Sequence, residues 1–400
     1  MEILIYLFFL TGVFFLSILI SVLFLECFSA VFMIDKKTNN SINLNEDDLA
    51  ILIPAYNEAL TISTTLNNLL KAVKNPRKII LIADNCNDNT ALIAQKVGVT
   101  VLERNNLKQC GKGYALEYGL AYLAGSPPSV VIVLDADCTL SPQSLEIIAK
   151  EATEKQRPIQ AVYLMGQPSI STPRDAISGF AFMVKNWVRP QGLSYWKLPC
   201  LLTGTGMAFP RSVLKSISLA SGNIVEDMKL GIDLAIAGYP PLLAPEARVI
   251  SPLPSRNDAA TSQRTRWEHG HLQTILKQVP RLIKEGIKQQ RFDLLALALE
   301  LAIPPLSLLV LLWSGMTVIA IGSSLYLDNW WGLTLQLTSG GFLFLAIFIA
   351  WYKFGRKQVS LKTLLTIPLY LLWKVPIYFF FLSRPQKEWV KTERDIHLNQ

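Results

Sequence analysis

The stretch Ser129-Val-Val-Ile-Val-Leu-Asp-Ala-Asp-Cys138 decides the fold. Its apolar, largely β-branched run has the length and composition of a strand buried on both faces. Asp135 and Asp137 follow at its carboxyl end, and an extended segment places such alternate residues on one side. Three shorter runs of the same kind precede it: Leu49-Ala-Ile-Leu-Ile-Pro54, Lys78-Ile-Ile-Leu-Ile-Ala83 and Val99-Thr-Val-Leu102. Between them, Ile62, Leu66, Leu69 and Leu70 repeat at helical spacing within 61–73, a helix runs to Val97, and another covers 113–123. Strands alternating with helices predict an α/β fold with a mainly parallel sheet and helices on both faces. Such sheets bind ligands beyond the carboxyl ends of their strands. Asn57, Glu58, Asp84, Asp88, Asp135 and Asp137 all stand there.

The flanks are apolar. Of 400 residues 51% are hydrophobic and only 17% charged, with a mean hydropathy of +0.33. Soluble chains carry about 25% charged residues, which excludes an ordinary soluble enzyme. Lys+Arg minus Asp+Glu is 38 − 30 = +8, an excess suited to an anionic cytoplasmic leaflet or a phosphate-rich ligand. Cys27, Cys86, Cys110, Cys138 and Cys200 are scattered without a C-x-x-C pair, so neither a disulfide framework nor a zinc site is indicated.

Ile3–Leu25 is uncharged and long enough to span a bilayer. No basic residue precedes it and Lys36 and Lys37 follow, which places the N-terminus outside and the next block in the cytoplasm. The expected organisation is an anchor over 1–27, a linker over 28–48, a cytoplasmic domain over 49–261, amphipathic interfacial helices over 262–303 and a membrane region over 304–400. Pro304-Pro305 sets the start of a span over about 305–327; Trp330-Trp331 mark an interface, and 332–352 returns to Lys353, Arg356 and Lys357. The segment 361–382, with Lys362, Pro368, Lys374 and Pro376, is read as interfacial, with a full crossing as the alternative. The chain is thus expected to be a multi-pass protein of the inner or plasma membrane.

Paired hard oxygens at Asp135 and Asp137 suit Mg²⁺ or Mn²⁺, which in turn bridges a diphosphate. Glu226-Asp227 opens a helix over 228–237, where acids favour the N-terminus; Asp233 reads as a solvated or locally paired helix residue. Gln263-Arg-Thr-Arg-Trp267 joins a cation able to grip phosphate to an indole able to stack on a sugar. Lys277, Arg281, Lys284 and Lys288, interleaved with Ile275, Val279, Leu282 and Ile283, form an amphipathic surface helix. His269 and His271 point to different helix faces, make a poor metal pair and read as surface residues. Gly111-Lys-Gly113 lacks the remainder of a P-loop, and Gly204-Thr-Gly206 the remainder of a dinucleotide fingerprint.

Taken in order, Pro54-Ala-Tyr-Asn-Glu58, Asp84-Asn-Cys-Asn-Asp88, Gly111-Lys-Gly-Tyr-Ala-Leu116, Asp135-Ala-Asp137, Gly204-Thr-Gly206, Glu226-Asp227 and Gln263-Arg-Thr-Arg-Trp267 resemble the motifs of the membrane-embedded inverting family 2 glycosyltransferases. That branch holds cellulose, chitin and hyaluronan synthases and ceramide glucosyltransferases, and the resemblance covers about residues 48–270. It implies a GT-A-type, Rossmann-like nucleotide-sugar-binding domain between N- and C-terminal transmembrane helices. It further implies that Pro54, Ala55, Tyr56, Glu58 and Asp84 hold the nucleoside, with Lys112 near the nucleotide. Asp135 and Asp137 would hold the diphosphate through Mg²⁺ or Mn²⁺, Asp137 more directly. Asp227, with Glu226 beside it, would be the general base, and Gln263, Arg266 and Trp267 would close over the diphosphate and the acceptor sugar. The family commonly carries an aspartate where Ala83 stands, which leaves the division of labour between Asp84 and Asp88 open.

The implied reaction passes a sugar from a nucleotide-sugar, UDP-linked in this reading, to a polysaccharide or a lipid. Polysaccharide synthesis is favoured because the Gln-x-x-Arg-Trp box is most typical of processive synthases. Three clear crossings are few for a wide channel built by one chain, so a short product, a lipid acceptor and a homo-oligomer stay open. A non-catalytic nucleotide-sugar sensor is disfavoured by intact Asp137, Asp227 and Trp267. Nucleic acid is not an expected partner, since aromatic and basic residues do not interleave on one face of the α/β block.

Overall fold

In the computed structural model, residues 2–33, 48–166, 172–214, 226–252 and 257–383 are described, and most of the expected 28–48 linker lies outside them. After α1 (Glu2–Ala30) come β1 (Leu49–Ala55), α2 (Ile62–Leu69), β2 (Ile79–Asp84), α3 (Thr90–Val97), β3 (Thr100–Arg104), α4 (Lys112–Leu123) and β4 (Val130–Val133). This is the alternation expected from the apolar runs. It continues through β5 (Thr139–Leu140), α5 (Pro142–Lys155), β6 (Ile159–Gly166), α6 (Pro173–Met183), α7 (Arg189–Tyr195), β7 (Met207–Pro210), α8 (Arg211–Leu214), α9 (Glu226–Ile236) and β8 (Leu242–Pro252). The rest is helical: α10 (Asn257–Lys288), α11 (Phe292–Ala302), α12 (Leu306–Leu327), α13 (Trp331–Ala350), α14 (Leu361–Leu364) and α15 (Ile367–Ser383).

The chain divides into two compact units. One gathers Asp35–Ile170, Pro199–Gly270 and Gln386–Gln400; the other gathers Met1–Ile34, Ser171–Leu198 and His271–Pro385. Segment 171–198, which lies inside the expected 49–261 domain, therefore groups with the apolar helices, and α10 runs unbroken across residue 261.

The first unit is built on an eight-stranded sheet of order β3-β2-β1-β4-β7-β6-β8-β5. The half legible in the sequence, β3-β2-β1-β4, is parallel throughout. β7 pairs antiparallel with both β4 and β6, and β5 antiparallel with β8, so the whole sheet is mixed. Side chains alternate between faces. Ala50, Leu52, Ile80, Ile82, Val131 and Val133 therefore share one face, packed with Ala115 and Leu116 of α4 and Leu234 of α9. At Gly119 an added Cβ would lie 3.1 Å from both Leu52 and Ile82, so α4 sits close against the sheet. This is a GT-A-like, Rossmann-like α/β architecture.

In the second unit, three helices among the described residues are long and apolar enough to cross a membrane: Tyr6–Ala30, Leu306–Leu327 and Trp331–Gly355. Apolar Ile367–Phe381 is shorter than these. α12 and α13 join by a polar clasp in which the Trp313 indole donates to the Gln336 carbonyl (2.9 Å) and the Gln336 amide donates to the Trp313 carbonyl (3.3 Å). Gly340 lets the Trp313 ring lie on the backbone of α13, since a Cβ there would overlap it.

Arg189, at the start of α7, is only 4% exposed. Its Nε donates to Glu26 of α1 (2.7 Å), and its other arm donates to the carboxylate (2.6 Å) and backbone carbonyl (2.7 Å) of Glu300 in α11. Burial alone would lower the Arg189 pKa, but Glu300 and Glu26 more than offset it and hold the guanidinium well above its ordinary value. Gly192, one turn on, lets α7 touch α1, because a Cβ would overlap the Glu26 carbonyl.

One expectation is overturned. His269 and His271 are each 2% exposed, not surface residues. Positions two apart on a helix diverge by about 200°, so this stretch of α10 is enclosed on two sides, which the charge pattern of a basic helix does not reveal. Asp233 is locally paired as expected, with Lys229 one turn earlier at 2.6 Å.

Removing one partner of a buried ion cluster strands the others. Arg189→Met should therefore destabilise the protein by about 3–5 kcal/mol. The check is the apparent unfolding temperature of detergent-purified protein beside Lys197→Met, an exposed cation on the same segment that should change little.

Candidate active site

Parallel pairing aligns the carboxyl ends of β1, β2 and β4. Ala55 sits beside Ala83, and Leu52 beside Val133. Pro54, Ala55, Tyr56, Asp84 and Asp135 thus emerge along one edge, as expected of strand-end residues.

Beyond β1 and β2 two loops are stitched together. The Asn57 amide donates to Asn87 Oδ1 (2.6 Å), and the Asn87 backbone N–H returns a bond to Asn57 Oδ1 (2.8 Å). Asn57 and Asn85 both hold positive φ (53° and 54°), a conformation asparagine tolerates better than most residues. Glu58 is buried; its backbone N–H donates to the Thr90 hydroxyl (2.7 Å), and its carboxylate accepts from Thr61 (2.9 Å).

The two aspartates after β2 take different parts. Asp88 accepts from the backbone of Ala59 and Thr90 and from the Thr90 hydroxyl, so it ties the loops and caps α3; these bonds hold its pKa below the usual carboxylate value despite partial burial. Asp84 is buried at the strand end, where Arg104 Nη1 donates to it at 2.6 Å and Asn85 at 3.1 Å. Burial outweighs Arg104 and lifts the Asp84 pKa. Arg104 also bonds the Gln109 carbonyl at 2.9 Å, and Tyr114 lies under its guanidinium. It escaped notice in the sequence because it closes β3 without any motif.

Asp135 and Asp137 come together by a different route from the one expected. β4 ends at Val133, and Asp135–Cys138 forms a turn closed by the Cys138 N–H on the Asp135 carbonyl (3.1 Å). The antiparallel pairing of β4 with β7 brings Gly204-Thr-Gly206 alongside, and the Thr205 hydroxyl accepts the Asp135 N–H at 3.0 Å. Gly206 holds φ +63° where a Cβ would press Val249 at 2.8 Å, so the strand entry demands glycine. One atom each from Asp135, Asp137 and Cys138 lie within 4.8 Å of one another. Two hard carboxylate oxygens fit a divalent cation such as Mg²⁺ or Mn²⁺. The buried Cys138 thiol, 3.4 Å from Asp137, is a soft neighbour that the sequence pattern did not single out.

Lys112, the first residue of α4, reaches into this group. Its ammonium contacts Asp135 Oδ1 and donates to the Gly204 carbonyl at 2.7 Å. Burial works against the charge, but Asp135, Glu226 and Asp227 more than offset it and raise the pKa above the ordinary lysine value. Glu226 and Asp227 open α9, and the Asp227 carboxylate accepts the next backbone N–H at 2.8 Å. Burial, then Asp227, pushes Glu226 up to about 7, with Lys112 pulling the other way. Asp135, Asp137, Lys112, Glu226 and Asp227 thus form one charged cluster. Gln263, Arg266 and Trp267 lie half-buried in the first turns of α10.

Gly204 (φ +94°) abuts the charged cluster: a Cβ would stand 2.9 Å from Asp227 Oδ2 and 3.6 Å from the Lys112 ammonium. Gly98 (φ +87°) has open space at the same position. Gly98→Ala should cost about 1–2 kcal/mol from backbone strain alone. Gly204→Ala should cost more and displace Asp227. Thermal unfolding of the two variants side by side separates strain from the carboxylate contact.

The profile of the family described as "Glycosyltransferase like family 2" matches residues 47–270, which is more than half of the chain. A Methanocaldococcus jannaschii protein named "Uncharacterized protein MJ1222" is 35% identical over 116 residues, 29% of this chain and 46% of that protein. "Probable glycosyltransferase YdaM" of Bacillus subtilis is 25% identical over 260 residues, 62% of this chain and 60% of that protein. The chain thus spans about half to three fifths of the length of these two relatives. "Poly-beta-1,6-N-acetyl-D-glucosamine synthase" of Staphylococcus aureus is 25% identical over 300 residues, 71% of this chain and 67% of that protein. Among solved structures, a mannosyltransferase of Pyrobaculum calidifontis in complex with GDP-Man and Mn²⁺ superposes with a TM-score of 0.55 at 17% identity, covering 94% of this chain and 100% of that one; the likeness is one of fold. With the family profile laid over the sheet and its charged edge, the chain belongs to glycosyltransferase family 2.

Proposed function

We propose that this protein transfers a sugar, with inversion, from a nucleotide-sugar to a growing polysaccharide at the cytoplasmic face of a membrane. The observation that carries the reading is the meeting of Asp135, Asp137 and Lys112 with Glu226 and Asp227 at the sheet edge. A diphosphate leaving group needs cationic support on one side, and the attacking hydroxyl needs a carboxylate on the other. The staphylococcal synthase among the relatives supports a polysaccharide as acceptor.

In this reading Pro54, Ala55, Tyr56 and Glu58 line the nucleoside, and Asp84 binds the base. Held in place by Arg104, its carboxylate accepts a ring N–H from the base edge, which uracil and guanine carry and adenine and cytosine lack. Asp88 is assigned to holding the loops, where its oxygens accept from Ala59 and Thr90. Asp135 and Asp137 are the residues that hold Mg²⁺ or Mn²⁺, which when bound neutralises charge developing on the diphosphate. Lys112 adds a fixed positive charge beside them. Gln263 and Arg266 grip the diphosphate, and Trp267 stacks on the acceptor sugar.

Asp227 is the general base. Its own helix N-terminus orients it through the Met228 N–H, and Gly204 leaves it room. One displacement, with the acceptor proton passing to Asp227 as the sugar–diphosphate bond breaks, inverts the anomeric carbon. Glu226 tunes this base: once ionised it raises the proton affinity of its neighbour.

Purified protein offered UDP- and GDP-sugars should turn over at least one of them with Mg²⁺ or Mn²⁺ present and stop in excess EDTA. Full turnover under chelation would remove the metal from Asp135 and Asp137. Product analysis decides the acceptor, since a radiolabelled sugar recovered in lipid extracts instead of polymer would replace the polysaccharide with a glycolipid.

Asp227→Asn should lower transfer by roughly 10²–10⁴-fold with little change in donor affinity. Near-parental transfer would reduce Asp227 to a helix cap. In the free enzyme Glu226 is protonated below about 7 and charged above, so kcat/KM of the parent should climb through that pH. Glu226→Gln, neutral throughout, should lose this step.

A further inference from the structure

The Lys112 ammonium occupies ground that a divalent cation must also use. It lies against Asp135 Oδ1, and the Gly204 carbonyl holds it there from behind at 2.7 Å. The backbone beneath Asp135 is fixed by its N–H on the hydroxyl of Thr205, a fully buried residue. Lys112 itself is anchored at the first turn of α4, directly after Gly111 at φ +132°. The ammonium therefore serves as the counter-charge of the cluster, answering Asp135, Glu226 and Asp227 together.

A dication entering between Asp135 and Asp137 meets this charge at close range, and like charges sharing one carboxylate repel. A nucleoside diphosphate changes the balance. Its oxygens offer the ammonium another anionic partner and free Asp135 for the metal. Two ligands that relieve each other in this way must bind cooperatively, each tightening the other by the same factor.

We propose that Lys112 is the resident cation of the site before donor binds and makes metal capture conditional on the nucleoside diphosphate. The inference rests on reading Asp135 and Asp137 as the metal ligands and adds an order of events: Lys112 holds Asp135 until the diphosphate draws it off. Lys112 is then a positioning residue as well as a charge for the leaving group, and its loss separates the two roles. Without it, the bare site binds metal better while transfer becomes slower.

The test is Mn²⁺ binding by the full-length purified chain, read from the EPR signal of free Mn²⁺, alone and with saturating UDP or GDP. Parent protein should bind Mn²⁺ roughly tenfold or more tightly with the nucleotide than without. Lys112→Met should bind Mn²⁺ alone roughly tenfold more tightly than the parent, and the nucleotide should add correspondingly less. Lys112→Arg, which keeps the charge, should retain most of the parental coupling, so a folding defect of the methionine variant does not blunt the test. Equal Mn²⁺ affinity of the parent with and without nucleotide overturns the inference by itself. So does a Lys112→Met protein that binds Mn²⁺ alone no better than the parent while both bind it with nucleotide. If no form binds Mn²⁺ under any condition, the metal reading of Asp135 and Asp137 falls first, and the inference falls with it.

Discussion

Asp135, Asp137, Glu226 and Asp227 crowd one edge of a sheet, and their mutual repulsion must be met before the surrounding chain can pack. The Lys112 ammonium meets it, placed by the first turn of α4 and held by the Gly204 carbonyl. Much of the local architecture serves that arrangement. β7 runs antiparallel to β4 so that Gly204-Thr-Gly206 lies beside Asp135. Gly204 and Gly206 accept positive φ so that a carboxylate and a neighbouring strand can stand where side chains would otherwise project. α4 presses on Leu52 and Ile82, which fixes the height at which Lys112 enters.

The same physics recurs in the unit of apolar helices, to a different end. Arg189 gathers Glu26 and Glu300 out of water, and its planar guanidinium donates to one oxygen of each carboxylate and to a backbone carbonyl in one geometry. Paired charges in an apolar setting bind elements in one register, because any slip leaves a bare ion behind. At the sheet edge the countercharge is a single lysine at the start of a helix; here it is an arginine. The lysine meets one carboxylate directly, whereas the arginine meets two.

The parallel half of the fold was legible because β-branched runs of strand length read as strands buried between helices, and polar residues at their carboxyl ends mark the edge where such sheets bind ligands. Asp84, Asp135 and Asp137 were found that way. The antiparallel strands β5 and β7 were not, since they are two and four residues long and carry no periodic signal. The resemblance left Asp84 and Asp88 undivided; only the hydrogen bonds show that Asp88 holds the loops while Asp84 stays at the strand end beside Arg104.

Composition and pattern by themselves determined that this chain carries apolar helices of membrane-crossing length, that its central block is α/β, and which carboxylates stand at strand ends. These are local or averaged properties, set by burial and by the period of side chains along one element. Tertiary structure alone decided that Lys112 faces Asp135, that Arg104 holds Asp84 and that His269 and His271 are enclosed. Each of these depends on segments far apart in the chain, and a partner chosen across the fold leaves no trace in the spacing of its neighbours.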